Sequence, residues 1–214
     1  MPTDGVKTVF AAVALASAAL ASAAPVAWTD WTSAGATVEG TLALDSGPVS
    51  VTYAGSTFFT QLGSGTDYFS PTTPYVSAEV SNAPTAAEMI AINDVGSRTI
   101  TFSQPVLNPY IAFVSVGQIG SGVTYTFDSP ITKISEGIGY WGGGSAVFGP
   151  NSFTGSEWHG VVRIDGLVSS ITLTTNNPET WHGFTVGANP VPEPASMAVL
   201  GLGLAALKRR RRNR

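Results

Sequence analysis

Between residues 25 and 189 the apolar side chains recur at every second position in short runs, and no convincing stretch repeats them at helical spacing. A chain patterned in this way buries one face of many short strands. Val38, Leu42 and Leu44 alternate with Thr37, Glu39 and Thr41, and Val49, Val51 and Tyr53 alternate likewise, with Gly47-Pro48 read as the turn between them. Residues 88–92 and 98–102 flank Asn93-Asp94-Val95-Gly96, a second hairpin pattern. The run YIAFVSV from Tyr110 to Val116 is almost continuously apolar, as expected of a central strand covered on both faces. Residues 123–127, 160–165, 170–174 and 183–186 add further strands, about nine in all. The expected fold is all-β, an antiparallel β-sandwich of jelly-roll-like character, with a barrel as the alternative.

Composition fits that expectation and narrows the function. Of 214 residues only 11% are charged, against about a quarter in an ordinary soluble domain, while 24 Gly and 14 Pro supply turns. From residue 24 to 189 there are twelve acidic residues and three basic ones, Arg98, Lys133 and Arg163, a net charge of −9. Such a body repels phosphate backbones, so nucleic acid is not an expected partner. There is no cysteine, which removes disulfides, thiolate catalysis and Cys-ligated metals.

The two ends carry the addressing information. Residues 1–23 hold Lys7, an uncharged run rich in Ala, Val and Leu, and then Ala21-Ser22-Ala23, a small-x-small pattern. They read as a signal peptide exported by the Sec machinery and cut by signal peptidase between Ala23 and Ala24, leaving a body of residues 24–188. At the other end, six of the ten Lys and Arg residues fall in the last seven positions. They follow residues 195–207, thirteen uncharged residues that as a helix reach about 20 Å, against a hydrocarbon core of about 30 Å. Lys208, Arg209, Arg210, Arg211 and Arg212 lengthen that reach by snorkelling and remain on the cytoplasmic side, so the segment reads as a short transmembrane helix that stops transfer across the membrane. Upstream, Pro192 and Pro194 hold Val191, Pro192, Glu193 and Pro194 in an extended, exposed segment suited to a processing enzyme.

Val-Pro-Glu-Pro, a short Leu/Gly/Ala helix and a terminal Arg run, in that order over residues 189–214, closely resemble the PEP-CTERM sorting signal of exported bacterial proteins. The resemblance implies an exosortase substrate: a multi-pass membrane enzyme cuts near the Pro-Glu-Pro segment and removes the helix and basic tail. It implies Val191, Pro192, Glu193 and Pro194 as the recognition motif and residues 208–212 as the retention cluster. It further implies a Gram-negative host that makes exopolysaccharide and biofilm, with the precursor at the inner membrane and the mature form at the cell surface or outside it. The body order FSQPVLNPYIAFVSVG, EWHGVVRIDGLVSSITLT and WHGFTVG is similar to β-sandwich bodies of other such proteins.

Within the body, residues 135–160 combine eight glycines with Tyr140, Trp141, Phe148, Phe153 and Trp158. Exposed rings on a Gly-rich loop suit stacking against a sugar, so Trp141, Glu157, Trp158 and His159 are the candidate carbohydrate contacts. Both histidines sit in Trp-His-Gly triplets 23 residues apart, a spacing that favours two similar strands over a metal pair. Hydrolysis of a polysaccharide would need two carboxyls, for which Glu136, Glu157 and Asp165 are available. The expected role is structural or adhesive and non-enzymatic, without cofactor or metal, with a carbohydrate-binding module and then a polysaccharide hydrolase as alternatives.

Overall fold

A computed structural model describes residues 25–189. The expected signal peptide with its cut between Ala23 and Ala24, the Val191–Pro194 segment, the expected transmembrane helix and the basic cluster lie outside the described residues. Fifteen strands are formed: β1 Ala27–Trp28, β2 Asp30–Ala34, β3 Val38–Leu44, β4 Gly47–Ala54, β5 Phe59–Leu62, β6 Glu88–Ile92, β7 Gly96–Leu107, β8 Tyr110–Val116, β9 Val123–Phe127, β10 Ile131–Glu136, β11 Ser145–Phe148, β12 Ser152–Ser156, β13 Trp158–Ile164, β14 Leu167–Thr175 and β15 His182–Ala188. One 3-10 turn, Thr73–Tyr75, is the sole helical element among the described residues. The strands make two sheets with every pairing antiparallel. One has the order β10-β13-β8-β15-β6-β5, with β1 added on β15, and the other β11-β12-β9-β14-β7-β4-β3-β2. The Gly-rich stretch expected to be a loop thus contains β11 and β12.

The inner faces of the two sheets share one core. Leu42, Val51, Tyr53, Ile100, Tyr125 and Leu173 from one sheet meet Ile90, Ile111, Phe113, Trp158, Phe184 and Val186 from the other. Strand β8 is buried along its whole length, as its composition predicts. Its outer face is covered by a second, smaller core in which Val26, Trp28, Phe69, Tyr75 and Val80 lie over Met89, Ala91, Ala112, Val114 and Val161. Residues 63–87, which have no strand of their own, supply much of that cover.

Two turns differ from expectation. The register Leu44↔Gly47 makes Asp45-Ser46 the β3–β4 turn and puts Gly47 and Pro48 inside β4. Pro48 is tolerated there because the pairing of β4 with β7 covers only residues 51–54, so no ladder bond to β7 is lost at Pro48. The second difference is larger: β6 and β7 do not form a hairpin, because they belong to different sheets. The chain crosses between the sheets at residues 93–95, and Arg98 holds the crossing. Its side chain, 1% exposed, donates from Nη1 to Gly96 O at 2.8 Å and Thr175 Oγ1 at 2.9 Å, and from Nη2 to Asp94 O at 2.9 Å while pairing with the Asp94 carboxylate. A turn pattern in sequence says nothing of a cation recruited from beyond it.

Removing that guanidinium takes the Arg98 donor from Gly96 O and the Thr175 hydroxyl oxygen, and leaves Asp94 O with the Thr175 hydroxyl alone. Arg98→Ala is expected to lower stability by about 3 kcal/mol or more, read as a reduced urea midpoint at unchanged slope.

Candidate functional site

The site is built where β8 ends. Between the paired positions Trp158↔Val116 and Gly160↔Phe113, β8 has two residues, Val114 and Ser115, opposite the single His159 of β13. This is a β-bulge, and it places Ser115 at φ 58°. Glu157, which precedes β13, is also in the left-handed region at φ 54°. The two strained residues meet: Ser115 Oγ donates to Glu157 Oε1. His159 is buried behind them, with the Ser115 N–H 3.3 Å and the Tyr75 hydroxyl 3.2 Å from its Nδ1. Donors at Nδ1 leave the ring proton on Nε2, 4.0 Å from Glu157 Oε1. Burial pushes the His159 pKa down to about 4, so the ring is neutral at pH 7.

On the other side of β8, Glu179 Oε1 accepts the Gly117 N–H at 3.1 Å and abuts Nδ1 of the buried His182. Glu157, Glu179, Ser115, Gln118, Thr180, Trp141 and Trp181 together line a cleft of about 300 Å³. Its apolar rim is a cluster of rings. Trp141 and Trp181 lie 6.3 Å apart at 77°, Tyr68 stacks on Trp141 at 6.5 Å and meets Trp181 edge-on at 4.9 Å, and Phe59 braces Trp181 at 5.1 Å. Trp141 reaches the rim on a two-residue tip: Gly139 and Gly142 exchange backbone hydrogen bonds at 2.8 and 3.2 Å, and Tyr140-Trp141 project between them. Glycine is required at both frame positions. A Cβ on Gly139 would lie 2.3 Å from the His159 ring, and Gly142 adopts φ 107°.

Of the four candidate contacts, Trp141, 53% exposed, and Glu157 line the cleft. Trp158 and His159 do not. Trp158 is 0% exposed, packed among Phe113, Phe148 and Phe153, and its Nε1 donates to Glu136 Oε2 at 2.9 Å. It is a core residue with no face open to a sugar, because β13 is an inner strand with its faces covered by both cores. His159 positions its neighbours and touches no solvent. Among the carboxyls, Glu136 is held by Lys133 and Trp158, and Asp165 by Arg163 and Thr132, so neither joins Glu157 in the cleft. Glu179 does, and it was not singled out from sequence. Trp181 was also missed as a site residue, although the repeated Trp-His-Gly triplet marks it: the structure buries both histidines and the first tryptophan and puts the second tryptophan on the rim. Among the described residues no three His, Asp or Glu side chains are grouped to hold a metal.

Residues 190–212 match the family model of the PEP-CTERM protein-sorting motif, in agreement with the resemblance of the tail. No curated protein and no solved structure matches the chain. The motif supports an exported, membrane-passing precursor sorted by an exosortase. No helix among the described residues is long and apolar enough to cross a membrane, and the candidate helix at 195–207 lies beyond them.

The buried, neutral His159 makes stability pH-dependent with a definite sign. Its folded pKa lies below the unfolded value, so the contribution is complete above about pH 6.5 and is lost as pH falls towards 4, by about 2–3 kcal/mol. Thermal unfolding at a series of pH values should show that loss in the wild type and a flatter profile in His159→Gln.

Proposed function

We propose that the mature protein is an exported surface or extracellular-matrix component of a Gram-negative, exopolysaccharide-forming host. In this reading its role is structural or adhesive, and its body, a β-sandwich, contacts carbohydrate through the cleft under Trp141 and Trp181. Strands β6-β15-β8-β13 in one sheet and β7-β14-β9-β12 in the other follow a jelly-roll order, with β10 and β11 as an excursion between β9 and β12. The observation that carries the binding role is the cleft itself: ring faces for the C–H side of a sugar beside two carboxylates and the Gln118 and Thr180 side chains for its hydroxyls. Processing follows from the sorting motif, with Sec and signal peptidase acting first and an exosortase cutting near residues 191–194 while residues 208–212 hold the precursor in the inner membrane.

The two carboxylates sharing one cleft favour, as a second reading, a polysaccharide hydrolase. Turnover of a host polysaccharide, lost in Glu157→Gln while binding persists, would establish it in place of the adhesive role.

Mass spectrometry of the C-terminal peptide from the protein's own cells is expected to show an end within residues 191–194. A peptide retaining residues 208–212 would overturn processing for this chain. In gels cast with the host polysaccharide, the wild type should be retarded, and Trp141→Ala should run as in a polysaccharide-free gel.

A further inference from the structure

The cleft is electrostatically one-sided. Each of the three basic residues among the described residues is already committed: Arg98 to Asp94, Lys133 to Glu136, and Arg163 to Glu79 and Asp165. None lines the cleft, whereas Glu157 and Glu179 do. Glu179 has a side chain only 2% exposed, and its Oε1 takes both the Gly117 N–H and the His182 contact. Its Oε2, like Glu157 Oε2, has no hydrogen-bond partner among the described residues. The rings of Trp141 and Trp181 line the same cleft, with Tyr68 packed against both. Tryptophan faces attract cations through the ring quadrupole, and a largely buried carboxylate adds attraction that water screens poorly. An anionic sugar meets repulsion in such a place, and a neutral one leaves the carboxylates' charge unanswered.

Resting on the carbohydrate reading above, we propose that the cleft recognises an alkylammonium group carried on a sugar, the free amine of an amino-sugar residue in a polysaccharide. The amine sits between the indole faces and the free oxygens of Glu157 and Glu179, and the sugar's apolar face lies against Trp141. The same ammonium chemistry occurs in small free amines such as choline, which lack the sugar face.

The test compares ligands on the intact, detergent-purified chain, read by tryptophan fluorescence and calorimetry at about pH 6, where a sugar amine is charged. The probes are a glucosamine tetramer, the N-acetylglucosamine tetramer, a galacturonate tetramer and choline. The glucosamine tetramer is expected to bind at least about tenfold more tightly than its acetylated counterpart, with the preference shrinking in high salt and galacturonate failing to bind. Trp141→Ala and Glu157→Gln should each reduce that preference by about tenfold at unchanged Tm. Equal affinity for the two glucosamine-type tetramers would overturn the ammonium inference and leave the carbohydrate reading standing. Failure of every oligosaccharide and of the host polysaccharide would overturn both. Choline binding as tightly as the glucosamine tetramer would overturn the polysaccharide as the source of the amine. The wild-type comparison alone decides the outcome if a variant fails to fold.

Discussion

Strand β8 is the element on which the other parts rest. Phe113, at its centre, packs against Tyr125 and Phe153 of one sheet and Trp158 and Phe184 of its own. A strand buried on both faces and paired on both edges cannot shift register without moving apolar side chains out of two cores at once. Its C-terminal end is therefore a fixed reference point. The bulge at Val114-Ser115 converts that rigidity into a site: it sets Ser115 against Glu157 and His159, while Gly117 holds Glu179 from the opposite side. The polar half of the cleft is organised from that strand end, by the Ser115 hydroxyl on Glu157 and the Gly117 N–H on Glu179.

Much of the architecture could be read from residue patterns, because alternation and apolar runs report burial directly. Tyr110–Val116 was legible as a central strand for that reason. Crossings between sheets were harder, since Asn93-Asp94-Val95-Gly96 has the composition of a hairpin turn, and the parting of β6 and β7 there, held by Arg98 on Asp94 and Gly96, shows only in the sheet order. The cover over β8 was also hidden, because residues 63–87 have no periodicity and act through scattered rings such as Phe69 and Tyr75.

The site was half legible. Trp141 and Glu157 were found because aromatic and acidic residues in a glycine-rich stretch are conspicuous. Trp158 was misassigned because it neighbours Glu157 in sequence, whereas the strand that begins at Trp158 has both of its faces covered. Glu179 and Trp181 come from the far end of the chain, and their place beside Glu157 depends on β13 and β15 both pairing with β8. Sequence separation conceals that kind of convergence. The charge arrangement needs both views: the sequence gathers basic residues in the tail, and the structure pairs the three in the body with carboxylates.

The Gly139–Gly142 tip divides its labour unequally between frame and contents. Its two glycines are fixed by the His159 ring beneath and by a backbone angle, whereas Tyr140 and Trp141 are exposed and pack against the rim rings Tyr68 and Trp181. Exchanging those two side chains alters what the cleft meets without disturbing what holds it. The rim of the cleft is thus open to change at two adjacent positions, with the cost of a substitution confined to the ring cluster at that edge.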